Sequence, residues 1–445
     1  MRGLTLFFLT ALTMHGCTGS GMYSDLDRKL AKGDCPAAVS LISAAQSEYG
    51  RNEALLYLLD AAMVYMQCGE YAAAQRHFHS AEDLADRLWT ESITRNTLSL
   101  VTNDTVLAYA GEDFERVMIH LMSAIGYLQA GEPDEALVEA RRLDTLLAIY
   151  NDKYDKKNRY KEDAFARYLS GILHEAAGEL DEAFIDYRRA AEVYQSDYVA
   201  YGTATPRILL GDLRRIASAI YRSADIADVY PDGAIDTGYA PNGQDGMGNV
   251  VLIAFAGYAP RKVEDMVVLP TGQGPVGVAY PKMVVTPPSC GGGQLVVQSN
   301  DQLFEADLEL VEDINRIADK NLDDRKGRIL AKTVARAAAK QAAIYGASRS
   351  SSRQDDQETI ETFLNLANIL LLERADTRSW RTLPGRIYMT RLFVPAGAYK
   401  AKLQACGEMV GTWGPFSVDP GSTRYLFRDL RYPCQTNSHA DNGFG

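Results

Sequence analysis

Residues 58–81 read LLDAAMVYMQCGEYAAAQRHFHSA, and the order of residue types in this stretch decides the first half of the chain. Leu58, Ala61, Ala62 and Tyr65 precede Gly69-Glu70-Tyr71 at helical spacing, and Ala74, Phe78 and Ala81 follow it. A glycine between two runs of helical period marks a turn, so the stretch reads as two antiparallel helices. The same order returns elsewhere. Gly131-Glu132-Pro133 is followed by Ala136, Ala140 and Leu143, with Ala124 and Tyr127 upstream. Gly178-Glu179-Leu180 is followed by Ala183, Tyr187 and Ala190, with Gly171 upstream. Gly33, Ala38, Ile42 and Ala45 make a degenerate fourth copy. Small side chains let two helices approach, and an aromatic ring fills the remaining space.

This is the tetratricopeptide (TPR) pattern. Successive turn glycines are 36, 62 and 47 residues apart, against about 34 in a regular array, so extra helices are expected between Ala85 and Phe114 and between Leu147 and Lys161. Residues 25–228 therefore read as a TPR-like α-solenoid of about ten helices.

The second half has a different texture. Tyr230 to Asn249 is rich in Gly, Pro, Asn and Asp and reads as a linker or a long hairpin, after which Asn249–Tyr258, Val276–Val285 and Gln294–Gln298 read as strands, so 229–305 is a linker with a β-rich segment. Residues 306–375 read as helical. Ala306–Tyr345 forms one helix or two with a break at Gly327, then come a linker at Ser348–Gln357 and an apolar helix at Ile360–Glu373. Residues 376–434 read as β-sandwich-like strands that complete a mixed C-terminal domain, with a tight turn at Pro395-Ala396-Gly397, and 435–445 as a disordered polar tail. The fold class is α+β, multidomain: a TPR-like solenoid followed by a β-rich and helical half.

Charge follows the same division. The net charge is −12; residues 18–200 sum to −13, residues 201–445 to zero, and Arg2 adds +1. An acidic chain is not a nucleic-acid binder, which needs clustered Lys and Arg for phosphates. Glu132, Asp134, Glu135 and Glu139 cluster on one repeat, as a solvated face or as a surface for a basic partner. The positive features lie in the second half. Arg328, Lys332, Arg336 and Lys340 recur every four residues within the stretch 325–349, which has seven basic residues and no acid. Arg378, Trp380 and Arg381 belong to a group of five arginines around a tryptophan (with Arg374, Arg386 and Arg391). Facing charges are expected to bring this half, or another copy of the chain, onto the acidic repeats. Membrane contact is the alternative for the basic helix.

The first residues read as an export signal. Arg2 is a short basic region, Leu4–Met14 an apolar core of eleven residues, and Gly16-Cys17 a small residue before cysteine. The arrangement resembles a bacterial lipoprotein signal, covering residues 1–16. That resemblance implies lipidation of Cys17, a tether over 17–24, and, with Thr18 rather than Asp next, the outer membrane. An ordinary secretory signal cut elsewhere is the alternative. An apolar run of eleven is too short to span a bilayer, which takes about 20 residues. Cys35 starts one predicted helix and Cys68 ends the next, so a disulfide between them is allowed, and Cys406 with Cys434 are candidates to staple neighbouring strands. Small buried thiols are the alternative for either pair. No Cys-x-x-Cys pair is present, which excludes a zinc ribbon.

Catalytic motifs are absent from the sequence. Gly272–Gly277 matches a dinucleotide-binding pattern, but Pro275 lies within it and a strand follows it. His174-Glu175 lacks a second histidine, and His77 and His79 are on different helix faces. No catalytic, cofactor or metal residues are assigned.

Four stretches carry a family resemblance: Arg167–Gly171 through Arg188, Val138–Arg142, Ala259–Lys262 and Asp376–Pro384. They resemble the tetratricopeptide-containing envelope lipoproteins that proteobacteria encode beside curli-secretion-type and penicillin-binding-protein-activator-type lipoproteins. The resemblance implies a periplasm-facing lipoprotein in a multi-lipoprotein assembly. The expected function is a non-enzymatic adaptor, with no cofactor, whose partners are other envelope proteins and whose membrane contact is the lipid anchor. The alternatives are a receptor for outer-membrane protein clients, and a peptidoglycan-acting enzyme whose site is assembled from distant residues.

Overall fold

Four identical turns set the course of the first half. At Gly33, Gly69, Gly131 and Gly178 the backbone has φ between +69° and +79°, a left-handed conformation that only glycine adopts freely. Each glycine N–H bonds back three residues and the next residue's N–H bonds back five, as in Gly69→Met66 and Glu70→Tyr65. This is the Schellman closure of a helix C-terminus, and it reverses the chain at once. The computed structural model describes residues 18–94, 107–153, 162–230, 246–271, 274–288, 291–348 and 374–432.

The helices are α1 (Thr18–Ala31), α2 (Cys35–Ala44), α3 (Gln46–Tyr49), α4 (Ala54–Gln67), α5 (Tyr71–Thr94), α6 (Asp113–Ala130), α7 (Pro133–Lys153), α8 (Ala164–Ala176), α9 (Leu180–Gln195) and α10 (Arg207–Ala219). The turns pair α1 with α2, α4 with α5, α6 with α7 and α8 with α9, a stack of helical hairpins closed by α10. N-caps fix several starts. Asp34 accepts from the Ala37 N–H, Asp163 from the Ala166 N–H, and Glu112 and Glu115 form a reciprocal capping box. Gly171 lies against the Tyr187 ring, and a Cβ there would meet it at 2.5 Å. The small residue before the turn and the aromatic after it thus interlock. A disulfide joins Cys35 to Cys68, with Cα atoms 5.4 Å apart. Among the described residues, α5 is 24 residues long and α7 21, which takes up part of the added spacing; the extra helices expected between Ala85 and Phe114 and between Leu147 and Lys161 fall largely on residues 95–106 and 154–161, which lie outside the described residues.

The strands of the second half are β1 (Met247–Tyr258), β2 (Arg261–Thr271), β3 (Gly274–Val284), β4 (Gln294–Gln298), β5 (Leu303–Asp307), β6 (Glu309–Glu312), β7 (Pro384–Pro395), β8 (Gly397–Ala405), β9 (Glu408–Val418) and β10 (Thr423–Asp429), with α11 (Ile314–Ser348) between β6 and β7. One four-stranded sheet runs β10-β1-β7-β6, a second β5-β4-β8-β9, and β2-β3 is a separate hairpin. The two larger sheets pack face to face over Val250, Leu252, Ala254, Leu295, Val297, Leu403 and Trp413. The alternate residues of β1, Val251, Ile253 and Phe255, belong with Ile387 and Met389 to the same apolar core as the helices. The first sheet is therefore buried on both faces, which is why β1 is a continuous apolar run.

Two expectations are corrected here. The helix expected from Ala306 begins only at Ile314, because Asp313 caps it by accepting from the Arg316 N–H, and β5 and β6 occupy residues 303–312. Gly327 does not break α11, which runs through it; a helical glycine costs about 1 kcal/mol, too little to stop a long helix. Strands from 229–305 and 376–434 meet in one sandwich. β1 lies between β7 and β10, and β4 pairs with β8, so the sandwich is assembled from both ends of the half. The expected linker has residues 231–245 outside the described set, as do the predicted helix Ile360–Glu373 and tail.

Candidate functional site

The first helix of each hairpin carries acids on the side that meets the second half. Asp60 on α4 is fully buried. Its Oδ2 accepts from the hydroxyls of Tyr23 (2.6 Å) and Tyr49 (2.8 Å), and its Oδ1 from the N–H (3.3 Å) and hydroxyl (2.7 Å) of Thr382. Glu115 on α6 accepts from the Trp380 N–H at 2.8 Å, from the Glu112 N–H at 2.9 Å, and from the Tyr109 hydroxyl. Glu112 pairs with Lys262 of β2 and Arg325 of α11. Burial raises the carboxyls of Asp60 and Glu115 and lowers the Lys262 ammonium.

The strongest charge lies at the far end. Arg391 of β7 is buried on the solenoid side of the first sheet. Its two terminal nitrogens reach the Glu175 carboxylate at 3.0 and 3.1 Å, one also reaches Asp212 at 3.0 Å, and its Nε donates to Asn249 at 3.0 Å. Arg215 bridges the same two acids at 2.6 and 3.0 Å, while the hydroxyls of Tyr187 and Tyr168 donate to Glu175 and Asp212. The two guanidinium groups lie over the Phe393 ring at 4.8 and 4.7 Å. Burial alone would raise Glu175, but the charges of Arg391 and then Arg215 hold it down at about 2. Removing a guanidinium here would leave a buried, uncompensated carboxylate.

Between these ends the contact is continuous. The Tyr194 hydroxyl donates to the Val311 carbonyl at 2.6 Å, and Tyr198 to Glu312 at 2.9 Å. Glu309 accepts from the N–H groups of Arg207 (2.5 Å) and Ile208 (3.2 Å) and so caps α10 from β6, a carboxylate at the positive end of a helix. At the other end Tyr432 donates to Asp27 at 2.9 Å and Gln67 to Asp429 at 3.2 Å. A stacked-hairpin solenoid binds ligands along an extended face. Here that face is covered, from α1 to α10, by the chain's own second half.

The predicted interaction patch is therefore divided. Trp380 is 1% exposed and enclosed against the helices, 6.5 Å from the Phe78 ring. Arg378 pairs with Asp376 at 2.7 Å and donates to the carbonyls of Asn52 and Leu107; Arg381 lies 4.0 Å over the Tyr23 ring. These three are an internal contact, not an exposed patch. Arg328 is exposed and Lys332 half-buried on α11, where Arg336 and Lys340 also lie. Arg325 of this helix, one turn ahead of the predicted column, pairs with Glu112 of the solenoid. Cys406 is disulfide-bonded, whereas Cys17 and Cys434 lie outside the described residues. Sequence reading missed Arg391 as the central residue, although its position offered a signal. It alternates with Ile387 and Met389, and a lone arginine on an apolar strand face calls for a buried counter-ion.

A second cluster joins α5, α6 and α7. Glu82, His120 and Glu139 converge within 4.8 Å, the donor types of a divalent-cation site. Arg142 already neutralises it, 3.2 Å from both carboxylates, and His120 bonds Glu139 at 2.9 Å. Burial would raise Glu139, but hydrogen bonds from His120 and His79 hold it at about 2. Of the acids clustered in that repeat, Glu132, Asp134 and Glu135 are exposed and Glu139 is buried.

No protein-family model and no curated protein matches the chain. Among solved structures, a kinesin light chain protein with nearly identical TPR-like repeats from Podosopora anserina is 14% identical, over 47% of this chain and 90% of that one, with a TM-score of 0.30. A tetratricopeptide repeat protein from Parabacteroides merdae is 18% identical, over 46% of this chain and 63% of that one, with a TM-score of 0.28. BtubC (BKLC) from P. vanneervenii is 17% identical, over 51% and 83%, with a TM-score of 0.32. Such scores add nothing to the fold, which rests on the hairpins and their turns.

Proposed function

We propose that the protein is a non-enzymatic adaptor of the bacterial envelope, anchored through a lipid on Cys17 to the outer membrane and facing the periplasm. In this reading it gathers other envelope proteins, lipoproteins among them. One observation carries it: the acids on the inner side of the repeats are engaged by Thr382, Trp380, Arg325 and Arg391 of the same chain. A receptor for unfolded clients needs that face open, whereas an adaptor needs a rigid body with partners on its outside. No helix among the described residues is long and apolar enough to cross a membrane, so in this reading the acyl chains hold the protein, at about 0.8 kcal/mol per buried CH₂.

Affinity capture with the lipidated protein is the test. A fixed set of envelope lipoproteins supports the adaptor; a varied set of unfolded porins supports the client receptor; muropeptide release by purified protein supports an enzyme. The anchor is tested separately. Cys17→Ser should abolish incorporation of labelled palmitate and move the protein out of the outer-membrane fraction, and unchanged labelling and fractionation would refute it.

A further inference from the structure

The cluster of Glu82, His120 and Glu139 has a fourth member. His79 and Glu82 are three residues apart on α5 and so share one face of that helix. His120 stands on α6 and Glu139 on α7, and both are buried. The helix α5 ends one hairpin, while α6 and α7 form the next. Two carboxylates and two imidazoles therefore meet where successive hairpins stack.

Their separations suit ligands around one ion. Two ligands each about 2.1 Å from a tetrahedral metal lie about 3.4 Å apart. His120 Nδ1 is 2.9 Å and His79 Nε2 3.5 Å from the Glu139 carboxylate, and His120 Nε2 is 3.9 Å from Glu82. The last distance is too long for a hydrogen bond, so Glu82 and His120 face each other without bonding. Arg142 shows where a cation sits among these groups. Its Nη1 lies 3.2 Å from an oxygen of Glu82 and 3.2 Å from one of Glu139. A guanidinium grips a carboxylate best with two nitrogens. Here one nitrogen is shared by two carboxylates, as a point charge would be. The Arg142 side chain is 47% exposed, against 3% for Glu139 and 7% for His120. The arginine can leave for water while the buried ligands stay, and its side gives a path of entry. Two carboxylates match one divalent charge. Imidazole ligands exclude Mg²⁺ and Ca²⁺, which take oxygen, and favour a first-row divalent ion, zinc among them.

We propose that Glu82, His120 and Glu139, with His79 as the fourth ligand, bind one zinc ion, and that Arg142 moves to solvent as the ion enters. The ion pins α5 to α6 and α7, a structural role that does not depend on the adaptor reading. The test uses the chain from Thr18 onward, which contains every described residue, without a histidine tag and stripped of metal by a chelator that is then dialysed away. Titration calorimetry with zinc chloride should find one equivalent bound with a Kd of about 1 μM or tighter, and saturating zinc should raise Tm. Glu82→Gln and His120→Asn should each weaken binding about tenfold or more. Glu82→Gln keeps the size of a half-buried side chain, so it tests the site in a folded protein whatever the buried His120 change does. Arg142→Ala should instead tighten zinc binding, because Arg142 competes for the same carboxylates. Three results would each overturn the proposal: no stoichiometric binding by the parent, undiminished binding by Glu82→Gln, or an Arg142→Ala variant that loses stability without gaining zinc affinity.

Discussion

Arg391, Glu175, Asp212 and Arg215 form a buried four-charge cluster, and the shifted carboxyls of Glu175, Glu139 and Asp144 fall into a lowered and a raised group. Glu175 and Glu139 are held at about 2, below their ordinary value of 4.5. A lowered carboxyl stabilises the fold above its unfolded value, and that stability is lost as pH falls towards about 2. Asp144 behaves oppositely: burial lifts it to about 6 against the pull of Arg167. A raised carboxyl contributes fully below its unfolded value, and the contribution is lost as pH rises through the folded one. Tm should therefore climb from about pH 2 to 4.5 and decline from about pH 5 through 6. Glu175→Gln should flatten the acid limb and Asp144→Asn the upper one; a parent Tm that does not rise between pH 2 and 4.5 would contradict the lowered Glu175, and one that keeps rising to pH 8 would contradict the raised Asp144. Asp60 belongs to the same scale. Asp60→Ala strands the Thr382 N–H and should cost about 2–3 kcal/mol in urea unfolding. Little of this was legible beforehand, because Glu175 and Arg391 are 216 residues apart. The acidic excess of the repeats and the arginines of the second half were visible, but which arginine would be buried depends on which strand face meets the helices.

The hairpin turns are the most legible elements, because their chemistry is local. A glycine with positive φ, the bonds it closes and the small-residue crossing beside it all lie within about 20 residues of sequence. Gly171→Ala would drive a methyl into the Tyr187 ring, and overpacking of this kind should cost about 1–3 kcal/mol, read as a shift of the urea midpoint. The Cys35–Cys68 bond ties the ends of α2 and α4 across a separation of 33 residues. Replacing both cysteines with alanine should cost about 3–4 kcal/mol by the chain-entropy model, and non-reducing peptide mapping should recover the linked peptides from the parent. The strands were less legible. β1 and β4 are visible as β-branched runs, whereas β6 and the end of β5 read as helix because Glu309 and Glu312 are good helix formers that are depleted in strands.

For the whole molecule, the two halves form one body. The first sheet is shared between the sandwich and the solenoid, so both sides of β1 are core. Sequence separates the halves because it shows their composition; it does not show that 374–432 returns to α1, α4 and α8, since non-local pairing leaves no periodic trace. The face of the repeats that meets the second half acts as an internal joint, so the proposed adaptor role leaves partners the outside of the solenoid or the far sheet. The most direct test of that joint is a double-mutant cycle between its halves, Arg391→Met against Glu175→Gln, with stability measured by urea unfolding at neutral pH. A buried guanidinium–carboxylate contact at 3.0 and 3.1 Å predicts a coupling energy of about 1.5 kcal/mol or more. Additivity within about 0.5 kcal/mol would mean that the two residues do not meet, and that the second half does not cover the repeats.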